Sequence, residues 1–374
     1  MKHSIASLSV LVAAAFGTAA HAARAEDIPL GMPDGFIASS VDKVADGQYC
    51  VTGEVMDDTG TKHDAWVALV DAGAKRVAWR TRLPFERPYV GNDAVRCAAG
   101  QGAYFVLTQE RTHIEESLNQ TKVVLNKLGA DGKLLKREPV GAGFDEWAYL
   151  LDVDGNAVAV AGGTSDALER KGKLGNYVAR FDTQLARAGV TTIPNGAFWT
   201  GTTAALSANQ LRVAGQFMPN AGGASGGREG FAVSRINVDQ HKYVSSAYVS
   251  PPDARAQASA FSADGAAYYV ATTPTALSVA VVSPAGKLAQ QFATRKIVCD
   301  LASIGVTGST ITVIGTTCDK PAAGTLATID LSTRQATTTR RIAGDVRVAR
   351  VDGNAWVGVV DAGKRGLVLR RDAQ

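Results

Sequence analysis

The chain has 374 residues, 46% of them hydrophobic and 20% charged, with a formal net charge of +4. The small basic excess is spread along the chain with no block of five like charges, which argues against a nucleic-acid partner. Beyond the N-terminal segment no run of about 18 apolar residues occurs, so the sequence predicts no membrane span in the mature chain.

Residues 1–25 read as a secretory signal peptide. Lys2 and His3 open it, a small-residue apolar stretch follows over 5–20, and Ala20-His21-Ala22 and Ala23-Arg24-Ala25 offer cleavage sites. Export to the periplasm or the exterior is the expected localisation. Residues 26–374 have no Pro/Ser-rich linker and no shift of composition, so they read as one domain.

A short turn then recurs between apolar, β-rich runs. It is Asp46-Gly47, Gly100-Gln101-Gly102, Asp154-Gly155-Asn156, Ala208-Asn209-Gln210, Asp264-Gly265, Gly308-Ser309 and Asp352-Gly353-Asn354. Residues 153–157 and 351–355 are both VDGNA. The steps from Gly47 through Gly102, Gly155, Asn209, Gly265 and Gly308 to Gly353 are 55, 53, 54, 56, 43 and 45 residues. A repeat of that length in an all-β pattern predicts a β-propeller, here with seven blades of four antiparallel strands.

Within each repeat the strand after the turn is strongly apolar, over 49–55, 103–107, 157–161, 211–215, 267–271, 311–315 and 355–360. A third strand follows a longer loop, and a more polar fourth strand fits an exposed blade edge. The last repeat ends after its third strand. The segment 26–31 is the expected donor of the missing strand, pairing near 366–369 and closing the ring.

Four cysteines in an exported chain suggest two disulfides. Cys299 and Cys318 flank the hairpin that turns at Gly308, which favours that pair and leaves Cys50 with Cys97 across adjacent blades.

Two repeats carry a V-A-G…V-x-R core: Val160-Ala161-Gly162 with Val178-Ala179-Arg180, and Val213-Ala214-Gly215 with Val233-Ser234-Arg235. On these residues the chain resembles bacterial secreted seven-bladed β-propeller repeat proteins. Repeat two departs from the core, with Val106-Leu107-Thr108. The resemblance implies a propeller and no particular activity.

Function is less legible. The segments that lead into the innermost strands carry Asp93, Asp145, Glu146, Trp147, Trp199, Arg255 and Arg347, where aromatic area beside charge makes a candidate ligand site at the central mouth. Long loops over 56–64, 109–121, 163–176 and 216–230 gather on one face, where binding residues concentrate. His63 and His113 fall on two of them beside acids, but no metal-ligand spacing recurs, so no metal and no cofactor are expected. No nucleophile elbow or haem motif is present. The expected function is a monomeric, non-catalytic binding module for a protein or a glycan. The alternative is a carbohydrate-active hydrolase or lyase using acids and arginines at the mouth.

Overall fold

The computed structural model describes residues 26–112, 120–143, 145–166, 173–193, 197–207, 209–219, 230–240, 242–249, 253–352 and 355–373. The proposed signal peptide and His113 lie outside them. Among the described residues no helix is long and apolar enough to cross a membrane.

The fold is an all-β propeller built of four-stranded antiparallel meanders. The N-terminal strand β1 (Glu26–Pro29) precedes the first of them. That meander is β2 (Phe36–Ala45), β3 (Gln48–Met56), β4 (His63–Asp71) and β5 (Arg76–Leu83). Next come β6 (Gly91–Gly100), β7 (Ala103–Arg111), β8 (Thr121–Leu128) and β9 (Leu134–Pro139). Then follow β10 (Asp145–Asp154), β11 (Ala157–Asp166), β12 (Lys173–Asp182) and β13 (Arg187–Ile193). The next four are β14 (Ala197–Ser207), β15 (Gln210–Pro219), β16 (Gly230–Asn237) and β17 (Lys242–Val249). They precede β18 (Arg255–Phe261), β19 (Ala267–Thr272), β20 (Ala276–Val282) and β21 (Leu288–Arg295). The set β22 (Asp300–Thr307), β23 (Thr310–Thr316), β24 (Gly324–Asp330) and β25 (Gln335–Ile342) comes next. The chain ends with β26 (Asp345–Asp352), β27 (Ala355–Asp361) and β28 (Leu367–Ala373).

The expectation of seven separate blades is corrected by the hydrogen bonding. Five blades, not seven, stand as separate four-stranded sheets, and β2–β9 form one continuous eight-stranded sheet. The fusion is local. A parallel bridge joins His63 of β4 to Gly91 of β6, and further along β6 the Cys50–Cys97 disulfide ties it to β3. A turn repeat registers each hairpin but carries no information about a bridge between hairpins, so it could not report this join.

The remaining closure is the expected one. β1 pairs antiparallel with β28, from Glu26 opposite Arg371 to Pro29 opposite Val368. Asp27 accepts from Arg370 Nε at 2.5 Å and Nη2 at 2.8 Å, and pairs with Arg365 at 2.7 Å. The apolar core lies between neighbouring blades. At the closing seam Ile28, Leu30, Tyr49, Val51, Val357 and Leu369 are buried together. Both disulfides are those anticipated, Cys50–Cys97 and Cys299–Cys318, with Cα separations of 6.1 and 5.0 Å.

Each innermost strand carries an irregularity against its partner, as between Ala38 and Ser40 on β2 (which has a second between Lys43 and Ala45), Ala148 and Leu150 on β10, and Leu301 and Ser303 on β22. A bulge bends the strand and sharpens its twist, which re-aims the residues beyond it. Opposite these three bulges stand Gly53, Gly162 and Gly315. A Cβ at Gly162 would collide with the carbonyl oxygen of Trp147, and Gly53 and Gly315 face Ile37 O and Asp300 O in the same way. The glycine of the V-A-G core is therefore a steric consequence of the bulge.

Two outcomes are expected. Gly162→Ala should cost at least about 2 kcal/mol, because the oxygen it meets is backbone and cannot rotate away; urea denaturation measures this. Asp27→Asn tests the seam. The Arg370 hydrogen bonds, opposed by burial, hold the Asp27 carboxyl below the usual aspartate range. Its contribution is thus complete above an unfolded-state value near 4 and is lost as pH falls through the depressed folded value. The stability gap between wild type and Asp27→Asn should be flat above about pH 5 and shrink in acid; a gap that widens in acid would contradict the seam assignment.

Candidate functional site

The bulged strands β2, β6, β10, β14, β18, β22 and β26 line a central channel with a cavity of about 760 Å³. Its wall is polar, with Asp42, Arg96, Asp152, Arg212, Gln257 and Arg350 among the lining residues. The strands reach the channel because each blade's apolar faces are consumed between blades, leaving the innermost edge to carry polar side chains.

Several of these side chains bond across to the next innermost strand. Asp42 accepts from the backbone N–H of Cys97 at 3.1 Å and from Ser40 Oγ at 2.6 Å. Arg96 Nε donates to Tyr149 O at 3.3 Å. Asp152 accepts from Leu206 N at 2.6 Å and Val153 N at 2.9 Å. Burial pushes the Asp152 carboxyl up, while those two backbone donors and Arg350 pull it back. The Arg212 guanidinium lies over the Phe261 ring, 5.2 Å from its centroid. The Gln257 amide is different. Its oxygen and nitrogen are both buried and both lack a hydrogen-bond partner.

Of the seven residues expected at the mouth, the five whose side chains are described, Asp93, Asp145, Glu146, Trp147 and Arg347, do not line this cavity. Asp145 starts β10 and accepts from the N–H groups of Gln120 at 2.7 Å and Thr121 at 3.2 Å. Glu146 is buried and accepts from Val123 N at 2.9 Å, Gly143 N at 3.3 Å and Ala142 N. Burial raises its carboxyl and those three donors oppose the rise. Both acids are therefore pins between loop and strand. Trp147 precedes the β10 bulge, and its carbonyl accepts from Tyr177 OH at 3.3 Å. Arg347 sits at the β26 bulge, exposed, and pairs with Asp345 at 3.0 Å and Asp361 at 2.9 Å. Trp199 lies on β14 opposite Phe217, and Arg255 on β18 opposite Thr272; their side chains fall outside the described residues.

Asp93 belongs to a second polar centre, at the junction of β4 and β6. There Arg111 Nη2 donates to Glu54 Oε2 and Asp93 Oδ1, each at 2.8 Å, and approaches His63 Nδ1 at 2.6 Å. His63 Nδ1 also lies 2.5 Å from Glu54 Oε2. Burial, then hydrogen bonding to Glu54 and its negative charge, push the Asp93 carboxyl up to about 8 against the pull of Arg111. Burial works the same way on Glu54, but hydrogen bonds from Asp93 and His63 and the Arg111 charge hold it below the usual glutamate range. The sequence signals for both centres were weak. A charged residue late in an innermost strand marks Asp42, Asp152 and Arg350, and His63 stood out as a loop histidine beside acids, though not beside Glu54 and Asp93, the acids it meets.

No known protein-family model and no curated protein matches the chain. Solved structures do resemble it. The β-propeller domain of the trilobed protease from Pyrococcus furiosus superposes with a TM-score of 0.53 at 8% identity, over 92% of this chain and 95% of that one. A protein from Lactobacillus plantarum gives 0.49 at 16% identity, over 81% and 84%. An α-L-arabinofuranosidase from Fusarium graminearum gives 0.47 at 13% identity, over 82% and 97%. The first of these supports the propeller fold, and identities this low say nothing about activity. The resemblance to bacterial secreted repeat proteins is thereby narrowed to propeller architecture.

Asp152→Ala removes both acceptors that hold Val153 and Leu206, and should cost about 2 kcal/mol. Chemical denaturation of the variant measures it; an unchanged midpoint would show that the cross-strand bonds contribute nothing.

Proposed function

We propose that this chain is a non-catalytic binding propeller that takes an acidic glycan in its central channel, in an oxidising compartment. The single observation that carries the reading is the channel itself, a cavity of about 760 Å³ with a polar wall, which suits a ligand rich in hydroxyls. Arg96, Arg212 and Arg350 on the same wall favour a ligand that also carries negative charge. Two disulfides fit an exported protein.

Two observations weigh against hydrolysis in the channel. Asp42 and Asp152, the carboxylates on its wall, are spent on backbone N–H groups of neighbouring strands. A glycosidase needs one carboxyl free to give a proton and another free to act on the sugar or on water. A protein ligand on the long-loop face is the competing occupant. Loop residues 113–119, 167–172 and 220–229 lie outside the described residues.

Calorimetric titration with uronic-acid oligosaccharides, and in parallel with an acidic peptide, tests the reading. The oligosaccharide should bind saturably. Arg212→Ala and Arg350→Ala should each weaken it by about 5-fold or more, near 1 kcal/mol, with the fold intact by circular dichroism. Saturable binding of the peptide alone, or oligosaccharide binding indifferent to both substitutions, would overturn it.

A further inference from the structure

We propose that Glu54, His63 and Asp93 form a binding site for one divalent transition-metal ion of the zinc type, with Arg111 as the resident cation that the metal displaces. The three side chains come from β3, β4 and β6, and one ligand atom of each lies within 4.8 Å of the others. One imidazole nitrogen and two carboxylate oxygens are a donor set that suits zinc, with a fourth position left for solvent or ligand.

The position of Arg111 marks the centre of the site. Its Nη2 stands 2.8 Å from Glu54 Oε2, 2.8 Å from Asp93 Oδ1 and 2.6 Å from His63 Nδ1. The three potential ligand atoms therefore converge on one point, and that point already holds positive charge.

A guanidinium serves the point poorly. His63 Nδ1 faces both Glu54 Oε2 at 2.5 Å and Arg111 Nη2 at 2.6 Å. A ring nitrogen has either a proton to give or a lone pair to offer, so it satisfies one of these neighbours and opposes the other. A metal ion takes lone pairs from the imidazole and both carboxylates at once, at about 2.0–2.2 Å. Apart from loss of protons from the ligand atoms, no covalent bond changes in the exchange. The metal enters, the guanidinium leaves toward solvent, and any proton on a ligand atom is released to the buffer.

The scaffold is built to hold such a set. The Cys50–Cys97 disulfide links β3 and β6, the strands that carry Glu54 and Asp93. The bridge from His63 to Gly91 fixes the start of β4 against β6. The ligand side chains are 14–17% exposed, so an ion is partly desolvated yet reachable, and Arg111 at 35% has an open side to swing into.

The experiment is calorimetric titration of the chelator-treated protein with zinc ion alone at neutral pH. One ion should bind per chain. His63→Ala and Glu54→Gln should each weaken binding at least about 10-fold, the scale on which lost metal-site contacts act. Arg111→Ala should tighten it by about 10-fold, because it removes a competing unit charge from the same point. An ion pair with no metal role predicts the opposite pattern: no saturable binding in wild type or Arg111→Ala, which overturns the proposal. Binding that persists in both His63→Ala and Glu54→Gln overturns it too. If His63→Ala fails to fold by circular dichroism, Glu54→Gln and Arg111→Ala decide.

Discussion

The structure depends on covering the last face of a ring. Each blade buries its apolar faces against its neighbours, so no blade has a core of its own. An open ring would leave two such faces in water, at about 25 cal/mol for each Å² of apolar surface. β1 prevents this by completing the sheet of β26–β28, and Ile28 and Leu30 enter a core shared with Tyr49 and Val357. The bidentate Asp27–Arg370 pair sets the register, because Arg370 is almost fully buried and offers its donors in a fixed plane. A short strand and one ion pair thus join the two ends of a chain more than 300 residues apart in sequence.

The channel follows from that ring and from the bulges. Without a bulge, an innermost strand would keep strict alternation, with its side chains directed only at the two neighbouring blades. The extra residue shifts the pairing, and the glycine opposite makes room for the displaced carbonyl. The strand's outer half can then present Asp42, Arg96, Asp152 or Arg350 to the channel while its apolar partners stay between blades. Part of this polarity is structural, since Asp42, Arg96 and Asp152 hold the next strand in place. On the same wall the proposed ligand would meet the guanidinia of Arg212 and Arg350.

The junction between β4 and β6 is the point of greatest departure from a simple repeat. Elsewhere consecutive blades meet through side chains. Here a backbone bridge and a four-member polar cluster meet at the start of β6, and a disulfide crosses the same seam further along. The bridge is the reason two meanders read as one sheet.

The propeller, its turns, its closing strand and the Cys299–Cys318 disulfide were legible in the sequence, because they depend on residues near one another along a hairpin or on the two chain ends, and Cys50–Cys97 followed as the remaining pair. The turn at Gly155 and the apolar run after it report a hairpin directly, and Cys299 with Cys318 follows from one hairpin's register. The polar clusters of the structure were not legible. Asp145, Glu146 and Trp147 carry the composition of a binding site, yet the fold spends both acids on loop N–H groups and sets all three away from the channel wall. The reason is the bulge at Tyr149, which divides the strand into a part outside the channel and a part inside it. The convergence of Glu54, His63, Asp93 and Arg111 was equally hidden, since they come from four strands spread over two meanders. Sequence alone determined the kind of fold, through local period and turn chemistry. Which charged groups meet, and which remain for a partner, was decided only when the blades packed, because it depends on distances between strands that no spacing along the chain encodes.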